Sequence, residues 1–366
     1  MFIEAERVRS QIVLIFTAWG MDPGHIQTAA DVMIATDLSG VDSHGISMLM
    51  DYNNSRLKGK LNLKAKPRIV RESPATALID ADAGLGHPAA VMGMNLAIKK
   101  ASNFGVGIVT VKNSHHFGAA GYYAGLALKM GFLGMVTSAT RTINTVPTRG
   151  KNALLGTNPI AFAAPTQRNE PFLLDMATSS VAANKVRVHE LNGKPLPPGW
   201  VLDSKGEPVT DASEAMDILF KRTEYIGGGL TPIGGTPQMA SYKGYGLAMM
   251  AHILGGVLSG SSFSPIRVKS QQPKDPDNLG HFFMAINPNE FREEGEFESD
   301  LDQVIDVLHQ SPRANPEEPI LVAGEPEAAK RMERLREGIP ISPALSDMIR
   351  RVCESSGAEF ILGHHP

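Results

Sequence analysis

A strand–helix–strand pattern between residues 75 and 112 constrains the fold of this chain more than any other feature. Residues 75–81 and 106–112 are short runs rich in apolar and β-branched side chains, which is typical of strands. Residues 88–103 between them have the length and the apolar spacing of a helix. Two strands joined through a helix usually lie parallel in one sheet. The pattern therefore predicts an α/β protein whose sheet is partly parallel.

The rest of the chain divides into helical ends and a strand-rich middle. Helical spacing of apolar residues covers residues 2–19, 22–38, about 46–58, 325–337 and about 343–355. Strand-like runs cover residues 131–138, 159–164, 171–175 and 281–286, with a long apolar helix at 245–258. Residues 192–235 are turn-rich and are predicted to be a loop covering a site, and residues 264–279 are predicted to be a surface connection. Because strand-like runs dominate the middle, the predicted class is a mixed-sheet α/β protein with a helix-rich second part.

Charge and composition exclude several classes of protein. The formal net charge is −3, with 35 Lys and Arg against 38 Asp and Glu, so there is no basic domain for nucleic acid. No apolar stretch approaches the ~20 residues that span a bilayer, and Glu4 and Glu6 argue against an N-terminal signal peptide. The single cysteine, Cys353, excludes an intramolecular disulfide. We therefore expect a cytoplasmic protein that binds neither nucleic acid nor a membrane.

The tetrapeptide Asp42-Ser43-His44-Gly45 lies between two predicted helices. Imidazole titrates near neutral pH, which suits a general acid or base. A histidine beside a small hydroxyl residue and a glycine is well placed for proton transfer. Taken alone, such a tetrapeptide is more often a surface loop, so His44 needs support from other motifs.

A second histidine motif, residues 113–118, directly follows the predicted strand 106–112. Ligands commonly bind where strands of an α/β sheet end, although a polar turn also explains two histidines. Adjacent side chains of an extended chain point to opposite faces, so at most one of His115 and His116 faces a given cleft. The sequence contains no H-x-x-x-H or H-E-x-x-H motif, which argues against a metal site. A metal-dependent hydrolase using His44, His115 and His116 is the alternative from a different class.

Two later stretches carry groups suited to phosphate or ribose. Asp175 ends an apolar strand and precedes small and hydroxyl residues, whose amides and hydroxyls can hold such groups; a simple helix cap is the alternative. Lys243 lies at the start of the helix predicted at 245–258, in a glycine-containing stretch. There it either binds a phosphate or is simply solvated. The earlier pattern Gly84-Leu85-Gly86 matches a dinucleotide fingerprint, but Pro88 removes an amide and Lys112 stands where an acid is expected.

Read in order, these motifs resemble the malate/L-lactate dehydrogenase family, whose nicotinamide-binding fold is not a Rossmann fold. The resemblance covers nearly the whole chain and is carried by residues 36–46, 86–90, 113–118, 156–159, 174–179, 198–200, 243–247 and 324–325. It implies a homodimeric, NAD- or NADP-dependent enzyme that moves a hydride between nicotinamide and C2 of a small 2-hydroxy or 2-oxo acid. Reduction of a cyclic imino acid at its C=N bond is the alternative reaction.

The resemblance also implies a division into domains and roles for single residues. Residues 1–112 with 309–366 are expected to form a helix-rich substrate and dimerisation domain, and residues 113–308 the NAD(P)-binding mixed α/β domain. His44 matches the proton donor, Ser43 positions it, Asp175 orients or charges the imidazole, and His116 is the second acid/base candidate. Cofactor contacts are expected at Ser138, Asp175, Met176, Ala177, Thr178, Tyr242, Lys243, Gly324 and Glu325.

One departure concerns the carboxylate of the substrate. The family commonly has an arginine four residues after the catalytic histidine, where this chain has Met48. The lost fork of guanidinium donors must be replaced for a carboxylate to bind in the same way. Arg56, Arg141 and Arg149 are the candidates, with Thr157 and Asn158 expected beside the substrate. Because of Met48, a catalytically silent binding protein of the same fold is a third hypothesis.

Overall fold

The computed structural model of the chain describes residues 1–220, 227–261, 271–272 and 274–363. Its centre is a sheet of seven described strands: β2 (Arg68–Glu72), β3 (Thr76–Asp80), β4 (Val106–Ser114), β5 (Leu133–Ala139), β6 (Ile160–Ala164), β7 (Phe172–Met176) and β11 (Leu279–Ile286). Their spatial order is β2-β3-β4-β11-β5-β6-β7. β3 and β4 are parallel, whereas each of the other described pairs in this sheet is antiparallel. The predicted mixed sheet is confirmed.

Helices surround this sheet, and those that the apolar spacing predicts have bounds close to the predicted ones, whereas the helices at 120–126, 183–191, 212–220 and 296–309 were not predicted. The described helices are α1 (Ala5–Ala18), α2 (Pro23–Leu38), α3 (Leu49–Leu57), α4 (Gly86–Phe104), α5 (Ala120–Leu126), α6 (Ala183–Leu191), α7 (Ala212–Phe220), α8 (Tyr242–His252), α9 (Glu296–His309), α10 (Glu325–Glu337) and α11 (Pro343–Ser356). α2 begins at its predicted cap, because the Asp22 carboxylate accepts the N–H groups of Gly24 and His25. Within the described residues, none of the helices combines the length and hydropathy needed to cross a membrane.

Three predictions of local structure are wrong in detail. Phe2–Ile3 is strand β1, paired with β12 (Ile339–Pro340), and not the start of a helix. The predicted helix 46–58 begins with a 3₁₀ turn at Ile46–Met48. The turn-rich segment 192–235 contains α7 and a small sheet of β8 (Val201–Leu202), β9 (Pro208–Val209) and β10 (Gly229–Leu230). Half of the predicted connection 264–279 lies outside the described residues.

The buried apolar residues form separate cores. In the first, Ile12 and Phe16 of α1 and Met33 of α2 pack with Ile349 and Val352 of α11, so the two ends of the chain fold together. A second core lies between the sheet and helices α4 and α5, and includes Met94, Val111, Tyr123, Val136 and Phe283. The proposed division into domains stays a prediction, and its boundary between residues 112 and 113 falls inside β4.

The sheet topology brings three predicted site residues to one edge. β11 is antiparallel to both β4 and β5, and β6 is antiparallel to both β5 and β7, so β4, β5 and β7 run in the same direction. Their carboxyl ends therefore lie at the same edge of the sheet. His116 follows β4, Ser138 is near the end of β5, and Asp175 is near the end of β7. Ligands of α/β proteins bind at such an edge.

Candidate active site

A cavity of about 960 Å³ opens at this edge of the sheet. Its wall is formed by the second half of α2, the loop that carries His44, residues 116–126, the ends of β5 and β7, and the first part of α10. Pockets for small molecules and cofactors usually measure about 300–1,000 Å³. The cavity is thus large enough for a cofactor together with a small substrate.

Side chains of α2 and α10 hold the loop that carries His44 in place. The Asp37 carboxylate, on α2, accepts the N–H of Ile46 at 2.8 Å. Gly45 lies so close to Asp37 that a Cβ there would overlap the carboxyl group. Arg334 of α10 donates to the Asp37 carbonyl and pairs with Asp42. The backbone on both sides of His44 is therefore fixed by a helix almost 300 residues away in sequence.

Asp37 is itself an unusual carboxyl group. Burial raises the pKa of Asp37 to about 7, although the hydrogen bond from Ile46 opposes the shift. Only 2% of the residue is exposed. The group supports the loop from beneath and does not line the cavity among the described residues.

Ser43 and His44 both line the cavity and bond to each other. The distance from Ser43 Oγ to His44 Nδ1 is 2.8 Å. Burial lowers the pKa of His44, so the imidazole is neutral at neutral pH when no ligand is bound. The predicted positioning role of Ser43 has a direct contact to support it.

His116 lies beside His44, with their ring centroids 5.4 Å apart. Its Nδ1 is 2.8 Å from Tyr52 Oη and also accepts the N–H of Gly118 at 3.3 Å. Burial, followed by the nearby His44 and His87, lowers the pKa of His116 well below its usual value. The two predicted acid/base candidates therefore share one end of the cavity.

Asp175 lines the same cavity, but it does not contact His44. Its Oδ2 accepts the N–H of Gly121 at 2.6 Å, and the hydrogen bonds of the described residues include none between Asp175 and either cavity histidine. Burial by the cavity walls raises the pKa of Asp175 to about 6. Ser43 is instead the partner of His44 Nδ1, and Asp175 bonds to the start of α5. The predicted role of Asp175 in orienting or charging the imidazole stays a prediction.

Ser138 and Thr157 are the predicted binding residues that reach the cavity from the sheet. Ser138 Oγ is 2.8 Å from Nδ1 of the fully buried His281. The His281 ring is stacked on Phe117, with centroids 4.3 Å apart. Burial lowers the pKa of His281 to about 3, so a neutral ring holds the Ser138 hydroxyl at the cavity wall.

Several other predicted residues have structural contacts instead. Asn158 is buried, bonding Thr140 and the Ala248 carbonyl, and Thr178 bonds the Thr157 carbonyl. Glu325 pairs with His309. In the described structure, the following predicted residues are not in the cavity wall: Met176, Thr178, Asn158, Tyr242, Lys243, Gly324 and Glu325. Ala177 is in the wall, and α10 contributes Glu327 and Arg331 in place of Gly324 and Glu325.

The candidate arginines for a substrate carboxylate differ in their surroundings. Arg56 is outside the wall, bonds Asn53 and the Ser355 carbonyl, and lies over the Trp19 ring. Arg149 is exposed and outside the wall. Arg141 is also outside the wall, but it directly follows Thr140 of the wall. Its charge contributes to lowering the pKa of His116 and opposes the rise in the pKa of Tyr52.

A buried carboxylate holds Arg141 in place. Asp277 Oδ2 is 3.3 Å from Arg141 Nη1 and 3.3 Å from His115 Nδ1, and Lys60 is 3.7 Å from Oδ1. Burial opposes ionisation of Asp277, but His115, Arg141 and Lys60 outweigh it and lower the pKa of this carboxyl. His115 is therefore part of this support, since it faces away from the cavity that His116 lines.

Sequence reasoning did not find Tyr52, His87, Asp277 or His281. Tyr52 lies eight residues after His44 on a helix, and a polar ring among apolar neighbours was the available signal. The other three are buried partners of predicted residues, and only the tertiary fold brings them there. Among the residues that the structure describes, no three His, Cys, Asp or Glu side chains are grouped to hold a metal ion.

The fold and the site define a class: an α/β protein with a deep cleft for a small ligand and two adjacent histidines suited to acid–base chemistry. The sequence profile described as malate/L-lactate dehydrogenase matches residues 3–350. Malate dehydrogenase of Pyrococcus horikoshii is 39% identical over 359 residues, covering 98% of this chain and 96% of the relative.

Two solved structures agree with that match. Malate dehydrogenase of Entamoeba histolytica superposes with a TM-score of 0.90 at 30% identity, over 98% of this chain and 99% of that one. The delta1-piperideine-2-carboxylate reductase of Pseudomonas syringae superposes with a TM-score of 0.81 at 26% identity, over 96% and 99%. The chain belongs to the malate/L-lactate dehydrogenase family and is a nicotinamide-dependent oxidoreductase of 2-hydroxy acids.

Proposed function

We propose that this enzyme interconverts a small 2-oxo acid and its 2-hydroxy acid, with His44 exchanging the proton on the substrate oxygen. The observation that carries this proposal is the pair His44 and His116, side by side at one end of the cavity. A carbonyl oxygen gains negative charge as hydride reaches C2, so a positioned proton donor lowers the barrier. Ser43 fixes the His44 ring for that transfer.

The cavity fits a nicotinamide cofactor. Beyond the two histidines it continues past the backbone of residues 118–121, Ser138 and Asp175 to Glu327 and Arg331. Hydroxyl and carboxyl groups along such a wall suit ribose and carboxamide groups. The bound cofactor supplies the hydride, while the protein orients the substrate, excludes water and moves the proton. We propose that NAD or NADP binds here. Arg331 and Lys129 lie in the wall and are suited to bind the 2′-phosphate that only NADP carries, so the two cofactors are to be compared.

Arg141 is our proposed partner for the substrate carboxylate. Met48 lies in the cavity wall but cannot bind a carboxylate. Arg141 takes over that function. A guanidinium binds a carboxylate through two parallel N–H donors. Asp277 holds Arg141 from behind and limits the conformations of its side chain.

A screen of NADH and NADPH oxidation tests the proposal. The acceptors are oxaloacetate, pyruvate, longer 2-oxo acids and a cyclic imino acid, because C=N accepts hydride by the same chemistry. We expect turnover with at least one 2-oxo acid and a clear preference for one cofactor. Turnover with the imino acid alone would overturn the proposed substrate class. Quenching of NAD(P)H fluorescence without any turnover would identify a silent binding protein, and a stoichiometric transition metal with hydrolysis would favour the hydrolase.

We also propose that the enzyme is a homodimer in the cytoplasm. Supporting the dimer, exposed apolar residues follow one face of α8 and its π-helical continuation Ile253–Val257. Tyr242, Met250, Ile253 and Val257 are 60%, 36%, 49% and 63% exposed, respectively, and recur at helical spacing. Exposed apolar stripes of this kind mark protein interfaces. The single thiol, Cys353, is free and buried, which fits a reducing compartment.

Substitution Ile253→Glu is expected to shift the protein from dimer to monomer, because it places a charge at the centre of the apolar stripe. Sedimentation velocity over a dilution series measures the change. Met332→Glu is the matched control, since Met332 is 69% exposed on α10 and lies outside the stripe. A dimer that is equally stable in Ile253→Glu would place the interface elsewhere.

A further inference from the structure

The two cavity histidines differ in what their Nδ1 atoms contact. His116 Nδ1 accepts the backbone N–H of Gly118 at 3.3 Å. A backbone N–H can only donate, so this nitrogen must keep its lone pair free of a proton. The neutral His116 ring then carries its proton on Nε2. A second proton on Nδ1 would face the Gly118 N–H directly.

The Tyr52 hydroxyl bonds to the same nitrogen of His116. The distance from Tyr52 Oη to His116 Nδ1 is 2.8 Å, and only 3% of Tyr52 is exposed. Because the Gly118 N–H already requires a lone pair on Nδ1, the Tyr52 hydroxyl is left to donate to this nitrogen. Burial and the neighbouring Asp51 raise the pKa of Tyr52 above its usual value, so the phenol keeps the proton that it donates. Two donors thus converge on one nitrogen of His116.

His87 extends this chain into the core. His87 Nε2 is 3.5 Å from Tyr52 Oη, and the two rings meet edge-on at 84°. Since Tyr52 donates to His116, its oxygen is left to accept from His87 Nε2–H. Among the described residues, His87 Nδ1 is buried without a hydrogen-bond partner. A lone pair left unpaired there costs less free energy than an unpaired N–H group. All bonds of the chain then point from His87 through Tyr52 to His116.

His44 has a different partner. The Ser43 hydroxyl, 2.8 Å from His44 Nδ1, both donates and accepts and can rotate between the two. It donates to a neutral His44 ring and accepts from a protonated one. His44 can therefore change its protonation state without losing this hydrogen bond, whereas a proton on His116 Nδ1 would abolish the hydrogen bond from the Gly118 N–H.

We propose that His116 is a permanently neutral hydrogen-bond donor, through Nε2–H, to the C2 oxygen of the substrate, and that His44 alone exchanges the proton. Tyr52 and His87 are positioning residues that set the His116 tautomer. The inference rests on the proposed function and divides its chemistry between two adjacent rings.

The step balances as follows. In reduction, hydride forms the new C2–H bond, the C=O π pair moves to oxygen, and the His44 imidazolium gives that oxygen its proton. His44 becomes neutral and regains a proton from water, while His116 keeps its own. In oxidation, neutral His44 takes the hydroxyl proton as hydride leaves C2.

The surrounding charges agree with this division. Burial lowers the pKa of both rings, but that of His116 is lowered further because His44, His87, Arg141 and His281 add to it. The negative substrate carboxylate favours the imidazolium form, and His44 is the ring able to accept it. The charged or titratable groups around the pair on the packed elements are Asp37, Asp42, Asp51, Tyr52, His87, Arg141, Asp175, His281 and Arg334.

Paired substitutions separate a fixed donor from a proton exchanger. A glutamine at position 116 carries an amide N–H near the position of Nε2 but cannot exchange a proton at neutral pH. We expect His116→Ala to lower kcat by about 10²–10³-fold, as for loss of one oxyanion-hole donor, and His116→Gln to restore most of that loss. Asparagine reaches only the position of Nδ1, so His116→Asn is expected to resemble alanine. If His116→Gln is as inactive as His116→Ala, the fixed-donor role is wrong.

Nuclear magnetic resonance of histidine-labelled wild-type protein gives a readout that needs no activity. Long-range ¹H–¹⁵N spectra distinguish the Nδ1–H, Nε2–H and doubly protonated rings, and the variants at positions 44 and 116 assign the signals. We expect His116 to keep the neutral Nε2–H signature throughout the pH range over which free imidazole titrates. Titration of His116, or an Nδ1–H ring, overturns the inference even if the enzyme is an active dehydrogenase.

Substitution Tyr52→Phe tests the positioning chain. It removes one donor to His116 Nδ1 and leaves the fold of α3 intact, since only a hydroxyl is lost. We expect kcat to fall while KM changes little, and the His116 signal to become a mixture of tautomers. A wild-type His116 signal in Tyr52→Phe would show that Gly118 alone sets the tautomer and would remove Tyr52 and His87 from the proposal. Absence of any NAD(P)H-dependent turnover in the wild type would instead refute the proposed function.

Discussion

Substitution His44→Gln is expected to lower kcat/KM for 2-oxo acid reduction by about 10²–10⁴-fold, the usual contribution of a general acid. Glutamine preserves the size and polarity of the side chain but has no exchangeable proton near neutral pH. The glutamine amide lies near the position of Nε2 and not of Nδ1, so the bond to Ser43 is lost. The loop should still keep its conformation, because Asp37 and Arg334 hold its backbone. Cofactor affinity, measured by fluorescence quenching, is expected to stay within about twofold.

Proton exchange by His44 also predicts how kcat/KM changes with pH in each direction of the reaction. Reduction needs His44 protonated, so wild-type kcat/KM for reduction should fall as pH rises through the pKa of His44 in the enzyme. Oxidation needs the neutral ring and should rise over the same range. Both slopes should disappear in His44→Gln. His25→Gln, on the first turn of α2 and outside the cavity wall, is the control; an active, pH-dependent His44→Gln enzyme would assign proton exchange to another group.

The architecture could be predicted because it depends on local patterns. The strand–helix–strand unit at 75–112 and the helix at 325–337 are encoded by apolar spacing and caps, which act within a few residues. Phe2–Ile3 was predicted wrongly because its strand partner, β12, is more than 300 residues away in sequence. The small sheet within 192–235 was missed because its two-residue strands lie among turn residues.

The site could be predicted only in part, for a related reason. His44, His116 and Asp175 lie at the ends of helices and strands that the apolar spacing predicts. Because β4 and β7 run in the same direction, His116 and Asp175 lie at the same edge of the sheet. Their supports are different: Arg334, Tyr52, Asp277 and His281 act through contacts between distant segments. The motifs did not reveal that Ser43, and not Asp175, bonds His44 Nδ1, because a motif gives residue types and order but not which side chain fills a given hydrogen-bonding position.

Substitution Arg141→Leu is expected to raise KM for the 2-oxo acid by about 10- to 100-fold, because hydrogen bonds to a charged group each contribute roughly 1.5–3 kcal/mol. kcat should change less, since the carboxylate is bound in both the ground state and the transition state. Arg141→Lys keeps the charge but loses the planar fork, so its KM should fall between wild type and leucine.

The control for this prediction is Arg56→Leu, which removes the same charge from a residue outside the cavity wall. Its bonds to Asn53 and Ser355 are structural, so stability should fall while KM stays within about twofold. If Arg141→Leu leaves KM unchanged, the carboxylate is bound by a cation of the wall itself, and Arg331 is the next candidate. If both variants raise KM equally, the effect is a general loss of positive charge. A large effect at Arg141 alone would show that Arg141, paired with Asp277, binds the substrate carboxylate in place of the arginine that the family commonly has at position 48.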